Sequence, residues 1–210
     1  MTHCFSRRSF LKGSAAAAAA LTSPLLPADA ASSETENGLF SPVSAFCQTQ
    51  YGPVKGREGE NGQLCWYGIP YGAAPTGESR WTAPQEPACW HTVRDCTSPA
   101  PAAYQYTTFP LGTEDCLTLD IYSSAEAKKR PVLVYLHGSA ATGSSLELPG
   151  SELVRDAGCV FVALNYRLGL FGWNCLPALT ADPDATGNFA LLDIARALDW
   201  VRDNIRRFGG

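Results

Sequence analysis

Two uninterrupted apolar runs constrain this chain more than any other feature: "PVLVYLH", Pro131 to His137, and "CVFVALNY", Cys159 to Tyr166. Neither alternates polar with apolar residues, so each reads as a strand covered on both faces, the pattern of a sheet flanked by helices. Between them "ELVRDAG", Glu152 to Gly158, reads as a short helix stopped by glycine. After them comes "GNFALLDIARALDWVRDNIRRFGG", in which the spacing predicts a helix from about Asn188. Leu191, Ile194, Ala195, Leu198, Val201 and Ile205 recur at three- and four-residue steps and are expected to form its buried face. Arg206 and Arg207 suit the carbonyl end of that helix, and Gly209 is its expected C-cap. Strand, helix, strand, helix implies an α/β sheet with parallel central members, the last helix crossing over to a further strand. On this reading the strand at 159–166 is expected to be a long apolar edge.

Upstream the text changes. From Phe46 to Tyr71, "FCQTQYGPVKG" and "LCWYGIPYG" read as short strands punctuated by Gly56, Gly59 and Gly62, a small antiparallel start to the fold. Residues 72–113 are rich in Pro, Ala and Thr. They are expected to form an ordered loop region, because Trp81, Trp90, Tyr104, Tyr106 and Phe109 need burial. "CLTLDIY", Cys116 to Tyr122, alternates as a strand. There is no internal repeat.

The first 30 residues read as a separate object. "SRRSFLKG" carries the pair Arg7 and Arg8, followed by the apolar run Ser14 to Leu26 and the small residues "ADA" before Ala31. This is the layout of an export signal, and the arginine pair resembles a twin-arginine signal. The apolar run is broken by Pro24 and falls short of the roughly 20 residues that span a bilayer. The expected organisation is a signal over 1–30, a mobile lead-in over 31–45 and one domain portion over 46–210, with a periplasmic or extracellular destination and the twin-arginine machinery as a partner.

The net charge of −4, with no basic run beyond the first dozen residues, argues against a nucleic-acid partner. One of the eight cysteines, Cys4, lies in the signal; the others are Cys47, Cys65, Cys89, Cys96, Cys116, Cys159 and Cys175. An oxidising compartment would pair some of these, and the odd count leaves one over. No pair has C-x-x-C spacing, and only His91 and His137 follow the signal, so no metal and no cofactor are expected.

Five stretches then line up in order: "GIPYGAAPTGESRWTAPQEP", "TEDCLTLDIY", "PVLVYLHGSAATGSS", "VALNYRLGLFGW" and the closing "GNFALLDIARALDWVRDNIRRFGG". Together they resemble the N-terminal part of the type-B carboxylesterases, the cholinesterase-containing family of α/β-hydrolases. The resemblance runs from about Phe46 to Gly210, with "EDCL" and "NYRLG…FG" as its most specific pieces. It implies acyl transfer from a small-molecule ester through a serine on a G-x-S-x-G turn, completed by an acid and a histidine. It also implies backbone N–H groups that hold the oxyanion in the loop after "YLH".

The chain departs from that pattern in two ways. No G-x-S-x-G occurs in the 210 residues, and the resemblance places the whole triad beyond Gly210. The expectation is therefore a truncated α/β-hydrolase, a small antiparallel start followed by a central mixed sheet with crossover helices that is left incomplete, with no catalytic residues of its own and no activity alone. The oxyanion loop, where relatives read H-G-G, reads His137-Gly138-Ser139-Ala140, and its spacing to Gly143 looks one residue short. Gly138, Ser139 and Ala140 are the candidate donors; losing one donor costs about 3 kcal/mol of transition-state stabilisation. His137 reads as an oriented structural group rather than a general base. Cys116 in "EDCL" resembles one half of a family disulfide, with Cys89 or Cys96 as partner, and a free buried thiol is the equal alternative. Glu114 and Asp115 read as strand-start groups with local or arginine partners, and Asn165 and Arg167 as polar groups tying a strand end to its loop. The alternatives to a hydrolase are a non-catalytic cholinesterase-like binding protein or a pseudogene or frameshift product.

Overall fold

The computed structural model describes residues 43–59, 62–148, 150–174, 176–179 and 187–210. The signal and most of the lead-in lie outside them. All described residues belong to the second of the two units into which the chain divides, Pro42–Gly210.

Strands β1 (Phe46–Gln48), β2 (Pro53–Lys55) and β5 (Arg94–Asp95) form a small first sheet in the order β1-β2-β5. The main sheet has the order β3-β4-β8-β10-β9, built from β3 (Arg57–Glu58), β4 (Gln63–Pro70), β8 (Thr118–Ser124), β10 (Val160–Leu164) and β9 (Val132–Tyr135). A two-stranded ribbon, β6 (Gln105–Tyr106) with β7 (Pro110–Leu111), completes the strands. The helices are α1 (Gly150–Ala157), α2 (Gly169–Gly172) and α3 (Phe189–Asn204), the last running into a 3₁₀ turn, Ile205–Phe208. The expected elements are thus present, and Gly209 closes the final turn in the left-handed region at φ 95°.

The main sheet is mixed, as expected, but its parallel pairing is confined to β9 and β10 rather than spread over the central members. The pairs β3/β4, β4/β8 and β8/β10 are antiparallel, and in the small first sheet β2 and β5 are parallel. Two further expectations about how the elements assemble are corrected. The apolar edge is β9 rather than the strand at 159–166. β10 inserts between β8 and β9, and all five of its residues are buried. Among the described residues β9 pairs with β10 alone, and Leu133 is 47% exposed. Continuous apolarity marks a strand that suits burial on both faces, but the neighbour on each side is decided by the crossover, which here returns through α1 to the inner flank of β9.

α3 buries a different row from the one expected. Its buried side is Phe189, Ala190, Asp193, Ala197, Trp200, Val201 and Asn204, while Leu191 (52%) and Leu198 (45%) face outward. Two polar residues sit on the buried row because each has a dedicated partner. Asp193 binds Arg167, and the Asn204 side chain accepts from the Gln50 amide and donates to the Trp200 carbonyl. In the loop region Tyr106 and Phe109 are exposed at the β6–β7 ribbon rather than buried.

The core joins the two sheets. Trp66 on β4 is fully buried, donates its indole N–H to the Ala45 carbonyl at 2.8 Å, and meets Phe208 edge-on at 4.9 Å between centroids. Among the described residues no helix is long and apolar enough to cross a membrane.

Candidate functional site

β9 ends at Tyr135, and the chain turns at its carboxyl end through Leu136 and His137 into the loop 138–148. His137 is buried and lies flat against Tyr166, with ring centroids 4.2 Å apart and planes 6° apart. Neither of its ring nitrogens has a hydrogen-bond partner among the described residues. Burial therefore lowers its pKa, opposed by the Gly138 backbone and the Glu147 charge. Stacking against Tyr166 orients it. The structural role expected for it fits this geometry.

The ring has a consequence for stability. With its pKa below the usual value of about 6.5, the folded form binds fewer protons than the unfolded chain in the window just under that value. Stability is then fully present above pH ~6.5 and falls as the pH drops towards the lowered folded value. Urea midpoints between pH 5 and 8 are expected to show this slope, and His137→Phe, which keeps a ring against Tyr166, is expected to flatten it. A wild-type midpoint constant over that range would contradict the assignment.

Gly138, Ser139 and Ala140 are exposed, and none of their three N–H groups donates a hydrogen bond among the described residues. Consecutive amides without a protein partner are an arrangement that can bind a negative oxygen. The non-glycine residues keep this capacity, because every residue except proline supplies an N–H. Ser139 takes a left-handed conformation, φ 75°, at a position where glycine is easiest. That conformation costs about 1–2 kcal/mol for an L-residue. Its hydroxyl offsets part of this by accepting from the amides of Ala141 (3.2 Å) and Thr142 (3.3 Å). The loop also closes despite its shortened spacing. Gly143, at φ 141°, lies so close that a Cβ there would stand 2.3 Å from His137 Nδ1.

The loop is held by residues distant in sequence. The Tyr166 hydroxyl donates to the His137 carbonyl at 2.5 Å, and the Gly169 amide donates to the Ala140 carbonyl at 2.7 Å. The Gln105 side chain brackets Gly143, its Nε2 donating to the Gly143 carbonyl and its Oε1 accepting from the Gly143 amide, both at 2.9 Å. Glu147 accepts from the Ser144 amide (3.1 Å) and the Tyr135 hydroxyl (2.8 Å). Behind the loop Ser145 donates to the buried Asp120 at 2.6 Å, and its amide donates to the Asn165 side chain at 2.9 Å. Desolvation raises the Asp120 pKa against the pull of Ser145 and the Gly68 amide.

Sequence reasoning singled out Asn165 and His137 but passed over Tyr166, Gln105, Glu147, Asp120 and Ser145. Tyr166 stood inside the quoted "NYRLG"; Gln105 had no local signal, since its partner lies 38 residues away. Glu114 does take an arginine partner: Arg80 Nε and Nη2 donate to its two oxygens at 2.5 and 2.9 Å.

The proposed disulfide does not form. Cys116 and Cys96 are free and buried, whereas Cys89 is disulfide-bonded to neither of them. Cys96 is pinned in the first sheet, its amide bonded to the Lys55 carbonyl and its carbonyl to the Tyr67 amide. Cys116 lines a small void with Arg167, Leu168 and Phe171. Burial pushes the Cys96 thiol up to about 12 and the Cys116 thiol well above its ordinary range, so both are inert, the free-thiol alternative.

The carboxylesterase family model matches residues 43–210, and a twin-arginine translocation signal matches residues 4–24. The chain is 41% identical to a para-nitrobenzyl esterase of Bacillus subtilis (strain 168), over 77% of this chain and 35% of that protein. It is 37% identical to a fumonisin B1 esterase of Sphingopyxis macrogoltabida, over 77% of this chain and 32% of that one. A solved carboxylesterase of Geobacillus stearothermophilus superposes with a TM-score of 0.73 at 38% identity, covering 80% of this chain and 36% of the other. The chain thus spans about a third of the length of these relatives.

Proposed function

Since the chain belongs to the carboxylesterase family and carries a twin-arginine export signal, we propose that it forms the N-terminal part of an exported, serine-dependent carboxylic-ester hydrolase of the type-B kind. Its contribution is the oxyanion-binding loop. The observation that carries this reading is the run of free amides at Gly138, Ser139 and Ala140, presented at the carboxyl end of β9.

Attack on an ester carbonyl converts a neutral oxygen into an anion. Prealigned N–H dipoles stabilise that charge without having to reorganise as it develops. The nucleophile that makes the attack needs a sharp strand-to-helix turn, and no G-x-S-x-G occurs in these 210 residues. The substrate class that fits the relatives' names is a carboxylic ester. The retained amides also weigh against a purely non-catalytic binding role, which has no use for three unpaired donors in a row.

The 210-residue polypeptide by itself is expected to give no measurable turnover of a short-chain nitrophenyl ester. A product of the same reading frame extended through a serine turn is expected to hydrolyse it, and a serine-directed phosphonate to abolish that activity. Phosphonate-sensitive turnover by the 210-residue polypeptide, or none by the extended product, would overturn the proposal.

A further inference from the structure

We infer that Tyr166 and Gln105 are positioning residues that hold the amides of Gly138–Ala140 in place from either end of the loop. This rests on the reading of those amides as oxyanion donors.

The N-terminal clamp is Tyr166. A trans peptide sets its N–H opposite its C=O, and there are no cis peptide bonds among the described residues. The C=O of the His137–Gly138 peptide is taken inward by the buried Tyr166 hydroxyl at 2.5 Å. The Gly138 N–H on the same plane is thereby directed outward, towards solvent. The stacked His137 ring keeps Tyr166 under the loop.

Beyond the donors the chain is caught again. The Ala140 carbonyl accepts from the Gly169 amide, and three residues on Gln105 grips both polar groups of Gly143. An exposed stretch of glycine, serine and alanine would otherwise sample many backbone conformations, and dipoles that must reorient as charge develops lose most of their value. Rigid support from outside the loop is what such donors require. The "NYRLG" segment therefore supports the oxyanion site from beneath, through a hydroxyl and a backbone amide, without touching substrate.

Backbone ¹⁵N relaxation on the labelled chain tests this. In the unmodified protein Gly138, Ser139 and Ala140 are expected to show order parameters near 0.85, those of rigid backbone. Tyr166→Phe keeps the ring stack and removes the hydroxyl, and is expected to drop Gly138 below about 0.6. Gln105→Ala is expected to do the same at Ala140 and Gly143, while the amides of β8 and β10 stay rigid in both. A loop already flexible in the unmodified chain, one that stays rigid in both variants, or loosening spread evenly through β10, would overturn the inference. If Tyr166→Phe does not fold, Gln105→Ala decides. Because no hydrolysis is measured, this outcome is separate from whether the extended product is an esterase.

Discussion

Replacing Asp193 by alanine is expected to lower the unfolding free energy by about 3–5 kcal/mol. Against a total of about 5–15 kcal/mol for a folded domain, that is a large share of the stability. The reason is what stays behind. Arg167 is 2% exposed, and Asp193 on α3 is fully buried. The carboxylate accepts from Arg167 Nη2 at 2.6 Å, from its Nε at 2.8 Å and from its backbone amide at 3.1 Å. The remaining guanidinium nitrogen, Nη1, donates to the carbonyls of Arg80 and Thr82, and the group lies 5.1 Å over the Phe189 ring. Alanine strands a cation that cannot lose its proton in a site closed to water. Burial raises the Asp193 pKa despite the arginine, so the pair is held at a desolvation cost and its value lies in being complete. The double variant Arg167→Met/Asp193→Leu is accordingly expected to be more stable than Asp193→Ala. Urea midpoints of the two decide it: a single variant within 1 kcal/mol of the unmodified chain, or a double variant less stable than the single, would refute the account.

Trp66→Ala is expected to be comparably damaging, about 3–5 kcal/mol. The indole is fully buried between the two sheets and supports Phe208, which in turn lies 6.1 Å from Trp200 on α3. Gly56 has no side chain because the indole occupies the space; a Cβ there would stand 2.6 Å from Trp66 Cδ1. Removing the ring opens a cavity that backbone on several sides cannot collapse into, and it orphans the Ala45 carbonyl. Trp66→Phe restores much of the volume and is expected to recover part of the loss. Equal stability of the alanine and phenylalanine variants, read from denaturant midpoints, would show that packing is not the cause.

The oxyanion loop shows where legibility stopped. "YLHGSA" marked the donors because a strand ending on glycine before a run of small residues is a local pattern. The devices that hold those donors lie 29 to 38 residues away in sequence from the groups they bind and carry nothing in their own text that points to the loop. The same limit applies to the cysteines. A family likeness offered Cys116 as half of a bridge, with a free buried thiol as the equal alternative. Cys96 is committed by its backbone bonds to the first sheet and Cys116 lines a void with Leu168 and Phe171, and both thiols are free.

By itself the sequence determined the main strands and the two longer helices, where the last helix is capped, that an export signal opens the chain and which loop is the candidate for the oxyanion, but not the short strands within 94–111 or the helix at Gly169–Gly172. Each feature it determined is written in residues close together along the chain, through periodicity, glycine placement and small-residue runs. Only the tertiary structure decided that β9 rather than β10 takes the edge, that α3 buries the row of Asp193, Trp200 and Asn204 instead of its leucines, and that Tyr166 and Gln105 hold the loop. Those outcomes turn on which buried polar group finds its partner and which strand the crossover sets beside another. Both are settled by long-range complementarity, and a local hydrophobic pattern does not encode it.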